Sequence, residues 1–333
     1  MDHLLEIRNL TACISRHGNF LKILDDISFS INKGEIAALA GESGCGKSMT
    51  ALSIAGLLPQ AVEIKSGEIF YNGQNLASMD EKELCRIRGS EISIIFQEAK
   101  QSLNPLMKIG IQIMECLEIS QKNRYPISNN KEQIKDVKEQ TFGMLKTLGF
   151  DETEKIFNAY PHQLSGGMCQ RVMTAIAAIT NPRLLLADEP SSSLDQESQE
   201  RILSLLLEMN RIHNTSILLI SHDLSIIQKF CSRFFIMYAG KIVEEGLSET
   251  FFSPLHPYTK ALINAIPRKD KRGIPLENIP GKVPSIEDKF SGCPFAPRCT
   301  KTQSICNETF PAAKTIKNRK VHCHFPESNN GIN

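Results

Sequence analysis

Apolar and polar residues alternate near the start of the chain. Leu4 to Leu10 and Ile23 to Ile31 both show this alternation, which predicts two strands with one buried face each. A continuous apolar run, Ile36 to Ala40, predicts a fully buried strand, and Ser48 to Leu58 is apolar at helical spacing. Gly67 to Gly73 predicts a further strand that ends in an Asn-Gly turn. The pattern therefore indicates antiparallel strands beside a parallel core.

The middle of the chain has a helical pattern, after which strands and helices alternate again. After the apolar run Ile92 to Phe96, residues from about 98 to 182 predict a helical subdomain, in which the polar segment 121–140 is expected to be a surface insertion. The elements predicted after it are a strand at Arg183–Ala187, a helix at Gln199–Arg211, and strands at Ser216–Ile220 and Arg233–Tyr238. Beyond Gly246, prolines recur between residues 254 and 297 and exclude long helices. We therefore expect a separate, loop-rich C-terminal unit.

Composition narrows the possible classes of protein. The 333 residues carry 23% charged side chains and a net charge of +1, so nothing indicates an electrostatic surface for nucleic acid. No apolar run approaches the roughly 20 residues of a membrane span, and the N-terminus lacks the features of a signal peptide, so a cytosolic location is expected. Six of the ten cysteines are scattered, as is typical of a reducing compartment, whereas the other four lie within the last 41 residues.

Eight residues between the buried strand and the first helix fit the pattern G-x-x-x-x-G-K-[ST] of a phosphate-binding loop. The loop consists of Gly41, Glu42, Ser43, Gly44, Cys45, Gly46, Lys47 and Ser48, and Met49 follows it in the expected nucleotide site. Its glycines let backbone N–H groups point at an anion, and the helix adds the positive end of its dipole. Lys47 is expected to contact the β- and γ-phosphates, and Ser48 to bind Mg²⁺. We also expect a reactive Cys45, because a helix N-terminus favours the thiolate and the loop must be open to nucleotide.

Two carboxylates follow a buried-strand pattern at the place where a parallel sheet presents residues to a ligand. Asp188 and Glu189 come directly after the apolar run Leu184–Ala187. Asp188 is expected to bind Mg²⁺, and Glu189 to orient and polarise the water that attacks the γ-phosphate. A strand-end Asp-Glu pair is more often a solvated turn, but a phosphate-binding loop upstream makes a catalytic pair the better interpretation.

The segment Leu164–Gln170, with the sequence LSGGMCQ, makes the chain resemble the ATP-binding cassette (ABC) ATPases of membrane transporters. The resemblance implies that the signature residues bind the γ-phosphate held by the loop of an opposite subunit; they are Ser165, Gly166, Gly167 and Gln170. The alternative is a simple Ser N-cap of a helix with glycines in its first turn.

The same resemblance assigns three further residues and a fold. It implies that Gln97 senses Mg²⁺ and nucleotide, that Asp195 lies in the loop coupling the two sites of a dimer, and that His222 contacts the γ-phosphate as a catalytic switch. The implied fold class is an α/β P-loop ABC ATPase with an antiparallel β subdomain, a RecA-like core and a helical subdomain, plus a small loop-rich C-terminal Cys-containing unit. The expected domains are residues 1–246 for the ATPase and 247–333 for the C-terminal extension.

Two positions depart from the family pattern. Related cassettes stack the adenine on an aromatic residue near the end of the first strand, where this chain has Ile14, so His17 or Phe20 is expected to substitute or base contact to be weaker. Ser193 stands where relatives mostly carry Ala, and its added hydroxyl is expected to be tolerated.

Three C-terminal segments narrow the resemblance to the ATPase subunits of bacterial oligopeptide and dipeptide importers. They are Pro254–Leu262, Ile279–Pro284 and Gly292–Cys299. The resemblance implies ATP hydrolysis that powers solute import, with Mg²⁺ and ATP in the site. The partners it implies are a second, different cassette subunit, two membrane permease subunits and an external solute-binding protein, and no nucleic acid. The implied location is peripheral, on the cytoplasmic face of the bacterial inner membrane. Nickel and metallophore importers share this subfamily, and a soluble ABC ATPase or an iron–sulfur redox protein are the other hypotheses.

Four cysteines in the C-terminal unit are candidate metal ligands. Cys293, Cys299, Cys306 and Cys323 supply the four thiolates that a [4Fe–4S] cluster needs, and a short, proline-rich unit is expected to need a cross-link. Zinc is the rival, with His322 and His324 as further possible ligands, and spacing alone does not choose between the two. Some peptide-importer ATPases carry this cluster, so the resemblance favours iron–sulfur. We expect its loss to leave ATP binding at a distant phosphate-binding loop largely intact.

Overall fold

The structure is a computed structural model that describes residues 3–16, 18–124, 131–192, 194–266 and 278–327. Its strands are β1 (His3–Arg16), β2 (Asn19–Asn32), β3 (Ile36–Ala40), β4 (Val62–Tyr71), β5 (Gln74–Asn75), β6 (Ile92–Ile95), β7 (Leu184–Asp188), β8 (Ser216–Ile220), β9 (Arg233–Tyr238), β10 (Lys241–Leu247), β11 (Lys314–Ile316) and β12 (Arg319–Val321).

Helices are short except in the middle of the chain. They are α1 (Lys47–Ala55), α2 (Glu81–Ile87), α3 (Ala99–Ser102), α4 (Ile109–Arg124), α5 (Lys131–Thr147), α6 (Thr153–Asn158), α7 (Gly166–Ala178), α8 (Gln196–His213), α9 (Ser225–Phe230), α10 (Pro257–Asn264) and α11 (Ser304–Glu308). None of them, within the residues described, is long and apolar enough to cross a membrane.

The chain divides into two compact units that interleave along the sequence. The first contains Ile31–Glu35 and Ser78–Ile220, and the second contains Leu5–Ser30, Ile36–Ala77 and the described residues from Ser221 onward. Each unit has its own sheet and its own share of the expected site residues.

In the first unit, three parallel strands form the sheet in the order β6-β7-β8. All five residues of β7 and of β8 are buried, as their continuous apolar sequences predict. Helices α3 to α7 confirm the predicted helical pattern, with α7 packed against β6 and α8. The polar segment 121–140 is helical where it is described, in α4 up to Arg124 and in α5 from Lys131, and the remainder lies outside the described residues.

The second unit contains an antiparallel sheet in the order β2-β1-β4-β5. In it Leu5 of β1 lies opposite Tyr71 of β4. The predicted Asn-Gly turn is confirmed, because Asn72 has φ 47° and Gly73 has φ 83°, the positive values that such a hairpin turn requires. This sheet is the predicted antiparallel subdomain.

A second sheet in this unit has the order β11-β12-β10-β9-β3. Strand β3 is parallel to β9, whereas β10 pairs antiparallel with β9 and with β12, where Glu244 lies opposite Val321. The C-terminal segment therefore contributes strands, which the proline pattern did not predict. The expected absence of long helices there is confirmed for the described residues, since α10 has eight residues and starts at Pro257.

Candidate nucleotide-binding site

The phosphate-binding loop curls tightly because two of its glycines have no substitute. Gly41 follows the buried strand β3 with φ 157°, and a Cβ there would lie 2.2 Å from the carbonyl oxygen of Met237. Gly46 has φ 112°, and a Cβ there would lie 2.9 Å from Leu24 Cδ2. The backbone conformation and the close neighbours thus both require glycine, as the motif predicts.

Lys47 lies at the start of helix α1, with its ammonium against the backbone of the loop. Its Nζ donates hydrogen bonds to the carbonyl oxygens of Gly41 at 2.8 Å and Glu42 at 2.9 Å. The N-cap residue, Gly46, offers no side-chain cap to the first turn of the helix. The loop therefore combines a fixed cation with a helix N-terminus, an arrangement suited to binding phosphate.

The expectation that Cys45 lies in an open loop that favours its thiolate is wrong. The residue is 2% exposed, and burial raises the pKa of its thiol despite the nearby ammonium of Lys47. Desolvation opposes the thiolate more strongly than the helix N-terminus favours it. Cys45 is consequently a packed thiol in this structure.

The expectation that the C-terminal unit lies far from the phosphate-binding loop is also wrong. Arg298, the residue before Cys299, forms an ion pair with Glu42 of the loop at 2.7 Å. The hydrogen bond that Arg298 Nη1 donates to Glu42 Oε2 raises the pKa of the Arg298 guanidinium, which therefore keeps its charge. Sequence analysis singled out the segment that contains Arg298 but gave this residue no role.

In the first unit, Asp188 and Glu189 lie at the carboxyl end of β7. Asp188 is the last residue of the strand and is buried, opposite Ile220 of β8. Glu189 has φ 49°, a left-handed conformation that is strained for a residue with a side chain. Its N–H donates to the carbonyl oxygen of Ile220 at 2.9 Å, and its carbonyl accepts from Ser192. The backbone therefore turns sharply at Glu189 and fixes where the carboxylate departs from the sheet.

Gln97 lies near the same edge of this sheet. It follows β6, which is parallel to β7 with Ile95 opposite Ala187, and it is exposed between β6 and helix α3. The carboxyl ends of parallel strands meet at one edge of a sheet, so Asp188, the last residue of β7, and Gln97, two residues after β6, both lie at that edge.

The signature segment caps helix α7. The Oγ of Ser165 accepts a hydrogen bond from the N–H of Met168 at 3.3 Å, and Ser165 and Gly166 are exposed. The N-cap alternative is therefore realised in the structure. Gln170 is 4% exposed on the packed face of α7, so this geometry does not support its expected contact with an opposite nucleotide.

The remaining two expected residues lie in loops. Asp195 is the exposed N-cap of α8, and the N–H and hydroxyl of Ser198 each lie 2.9 Å from its carboxylate, which lowers the pKa of Asp195. Ser193, in the same loop, lies outside the described residues. His222 is exposed in the second unit, in the turn between Ser221 and Asp223.

Phe20 is the described candidate for stacking on adenine. It is 57% exposed on β2, and the ammonium of Lys65 lies 3.7 Å from the centre of its ring. His17, the other candidate, lies outside the described residues. Ile14 pairs with Val62 in the antiparallel sheet.

The four C-terminal cysteines line one cavity, which we call the cysteine pocket. It is lined by Cys293, Cys299, Cys306, Cys323, His256, Pro257, Phe295, Ala296, Lys301, Pro311, His324 and Phe325. Burial and the neighbouring thiols raise the pKa of Cys293 to about 11 and that of Cys323 to about 11. Among the described residues, no three His, Cys, Asp or Glu side chains are arranged to hold a single metal ion.

Two histidines, His256 and His324, line the cysteine pocket, and His322 lies nearby in the sequence. His256 is buried, its Nδ1 accepts from the N–H of Tyr258 at 3.0 Å, and its Nε2 has no partner among the described residues. Burial lowers the pKa of His256 to about 3, so its ring is neutral. His322 is bonded to the carbonyl oxygen of Pro311 and His324 to that of Thr309. His256 is therefore a buried histidine at this pocket with a ring nitrogen that has no partner among the described residues, and its role was not predicted from the sequence.

Comparison with protein families gives two matches. Residues 24–192 match the family model described as ABC transporter, and residues 243–306 match that described as oligopeptide/dipeptide transporter, C-terminal region. The first covers about half of the chain and includes the phosphate-binding loop, the signature segment and the Asp188-Glu189 pair.

Relatives are similar over nearly their full length. The oligopeptide transport ATP-binding protein AppD of Bacillus subtilis (strain 168) is 42% identical, with 98% of both chains covered. The dipeptide transport ATP-binding protein DppD of the same organism is 37% identical (97% of this chain, 95% of the relative), and the oligopeptide transport ATP-binding protein OppD of Escherichia coli (strain K12) is 38% identical (98% and 94%).

Solved structures agree with this fold. The dimeric structure of MJ0796, a bacterial ABC transporter cassette, is similar with a TM-score of 0.66 and 26% identity over 73% of this chain and 98% of that one. The post-hydrolysis dimer of the same cassette, bound to ADP and Pi, gives a TM-score of 0.64 and 27% identity with the same coverage. The chain therefore belongs to the ABC transporter ATPases and carries the C-terminal region of the oligopeptide/dipeptide transporters.

Proposed function

We propose that this ATPase powers the import of di- or oligopeptides through a separate membrane permease. The observation that carries the proposal is the match of residues 243–306 to the oligopeptide/dipeptide transporter C-terminal region, together with peptide-transport relatives that are similar along nearly the whole chain. The two family matches also support a division into an ATPase part, residues 1–246, and a C-terminal extension, residues 247–333.

The chain's own residues account for binding and hydrolysis as follows. Lys47 places its charge on the β- and γ-phosphates of ATP, and the N–H groups of the phosphate-binding loop surround them. Glu189 accepts the proton of the attacking water, and its backbone, fixed by the turn after β7, orients the carboxylate for that step. The family resemblance assigns contacts with the γ-phosphate region to Gln97 in the first unit and, independently, to His222 in the second.

The residues proposed as Mg²⁺ ligands each carry an oxygen donor of the type that this ion prefers. Asp188 offers a buried carboxylate at the end of β7, and Ser48 and Gln97 offer a hydroxyl and an amide oxygen. When bound, Mg²⁺ neutralises charge that develops on the β- and γ-phosphates.

We further propose that two cassettes act together, with the signature segment of each facing the phosphate-binding loop of the other. The position of Ser165 and Gly166 supports this arrangement, since both residues are exposed at the start of α7, and a helix N-terminus is suited to binding an anion. The proposed complex contains a second, different cassette, two permease subunits and an external solute-binding protein, at the cytoplasmic face of the cell membrane.

A [4Fe–4S] cluster is our proposed occupant of the cysteine pocket. Four thiols line one cavity, which is the donor set that such a cluster requires. The buried, unpaired Nε2 of His256 offers a hydrogen-bond donor to sulfur. When bound, the cluster cross-links the four cysteine segments.

Transport is tested by purifying the chain together with the proposed permease subunits and reconstituting the complex in vesicles. Peptides presented with the cognate solute-binding protein should stimulate ATP hydrolysis, and the same complex with Glu189→Gln should show no stimulation. Stimulation of ATP hydrolysis by nickel or a metal chelate, but not by peptides, would show that the complex imports nickel or a metallophore instead. Absence of any associated permease would contradict the import proposal.

The cluster is tested on protein purified without oxygen. The expected result is a brown protein with about four iron and four sulfide per chain, which loses its colour when Cys306→Ser is introduced. Cys85→Ser, which changes an exposed cysteine outside the cysteine pocket, is the matched control and should stay brown. Colourless protein with one zinc per chain would show that the cysteine pocket binds zinc and not the cluster. The import proposal would not be affected by that result.

A further inference from the structure

Glu42 of the phosphate-binding loop is held at each of its polar groups. Its N–H donates to the hydroxyl of Tyr258 at 2.8 Å, and its carbonyl oxygen accepts from Lys47 Nζ at 2.9 Å. Its carboxylate accepts two hydrogen bonds from Arg298, Nη1 to Oε2 at 2.7 Å and Nη2 to Oε1 at 3.0 Å. One loop residue thus connects the lysine expected on the phosphates to two residues of the C-terminal unit.

Arg298 is suited to fixing this loop because its own guanidinium is immobilised. Its side chain is 5% exposed, and its Nε donates to the carbonyl oxygen of Pro280 at 2.7 Å. Its Nη1 also donates to the hydroxyl of Tyr238 at 3.2 Å. Because all three guanidinium nitrogens form hydrogen bonds, the planar group is fixed and the carboxylate that binds it has one favoured position. The flexible side chain of a lysine would not fix the carboxylate in this way.

The segment that carries Arg298 also forms a wall of the cysteine pocket. A short 3-10 turn, Ala296–Arg298, joins Cys293 to Cys299, and its N–H groups bond to Cys293 and Phe295. The ring of Phe295 packs against that of Tyr258 at 5.2 Å between centres. A change in the spacing of Cys293 and Cys299 would therefore move the turn that holds Arg298.

We propose that Arg298 is a positioning residue for nucleotide binding. It holds Glu42 and, through Glu42, the backbone carbonyl that positions Lys47. It also transmits to the phosphate-binding loop whether the cysteine pocket is occupied. The transmission half rests on the proposed cofactor. The positioning half does not, because the contacts between Arg298 and Glu42 are present whatever the pocket binds.

The positioning half is tested by a double-mutant cycle on the full chain. Arg298→Met and Glu42→Gln should each weaken MgADP binding about tenfold, since each removes charge-assisted hydrogen bonds. The double variant should bind no more weakly than either single variant, because both changes remove the same contact. KM for ATP should rise more than kcat falls, and Arg298→Lys should recover part of the affinity. Lys289→Met, an exposed charge removal in the same unit, is the control and should leave binding unchanged.

A merely structural role gives a different result. In that case Arg298→Met would lower the thermal unfolding temperature and leave the affinity of the remaining folded protein unchanged. If instead the two residues acted independently, the two losses of affinity would add. Either outcome overturns the positioning role.

The transmission half is tested by measuring MgADP affinity in anaerobic protein before and after the iron is removed with a chelator. Wild-type affinity should fall severalfold, whereas that of Arg298→Met should not change further. Equal losses in both proteins, or none in wild type, would overturn transmission. Protein without iron would refute the cofactor instead, and the double-mutant cycle would still decide the role of Arg298.

Discussion

The carboxylate of Glu244 and the guanidinium of Arg319 form a buried ion pair that joins β10 to β12. The two side chains are 0% and 4% exposed. The same carboxylate accepts hydrogen bonds from the N–H groups of Leu255 at 2.9 Å and His256 at 2.8 Å, at the start of α10. A single buried charge therefore holds together three segments of the second unit, and it is stable there because each oxygen has donors.

Removing one partner of this pair is expected to destabilise the protein strongly. Arg319→Met should lower the free energy of unfolding by about 3 kcal/mol, because it leaves the Glu244 carboxylate buried without its counter-charge. Urea unfolding followed by circular dichroism measures the change. Arg16→Met breaks an exposed pair with Glu287 and is the control, with an expected loss of about 0.5 kcal/mol or less. Equal effects of the two substitutions would contradict the importance of the buried pair.

Glu189→Gln is expected to separate binding from hydrolysis. The amide keeps the shape of the side chain but cannot accept the proton of the attacking water, so kcat should fall about 10²–10⁴-fold while ATP binding persists. Steady-state ATPase assays and nucleotide titration measure the two quantities. Near-normal turnover of the variant in the presence of permease would exclude Glu189 as the base.

Lys47→Ala is expected to act on binding itself. Loss of the ammonium held by Gly41 and Glu42 removes the charge on the β- and γ-phosphates, so the dissociation constant for MgATP should rise about tenfold or more. Isothermal titration of the full chain measures it, with Lys33→Ala at an exposed turn as the control. An unchanged dissociation constant would remove Lys47 from the phosphate site.

Cys45 is expected to react slowly with thiol reagents. It is buried and burial raises the pKa of its thiol, whereas Cys85 is exposed. In a maleimide pulse at neutral pH followed by peptide mapping, Cys85 should be labelled well before Cys45. Labelling of Cys45 at the rate of Cys85, with protection by MgATP, would show that the loop opens readily to solvent.

Local pattern was enough to predict most of the elements and the residue types of the site. The buried strand β3, the turn at Asn72 and the loop before Lys47 follow from periodicity and from backbone requirements of glycine, which act over a few residues. Asp188 was predicted at a strand end for the same reason, and the structure places it there.

Tertiary structure decided which distant residues meet. Arg298 and Glu42 are 256 residues apart, and nothing in either local sequence indicates their ion pair. The burial of Cys45 depends likewise on the chain packed around the loop, so a pKa argued from a helix N-terminus alone had the wrong direction. Sequence by itself determined the short-range conformation of the backbone and the candidate chemistry of the site, whereas packing determined which side chains are desolvated and which distant residues pair. The reason is that desolvation and ion-pair geometry depend on neighbours that the chain brings together only when it folds.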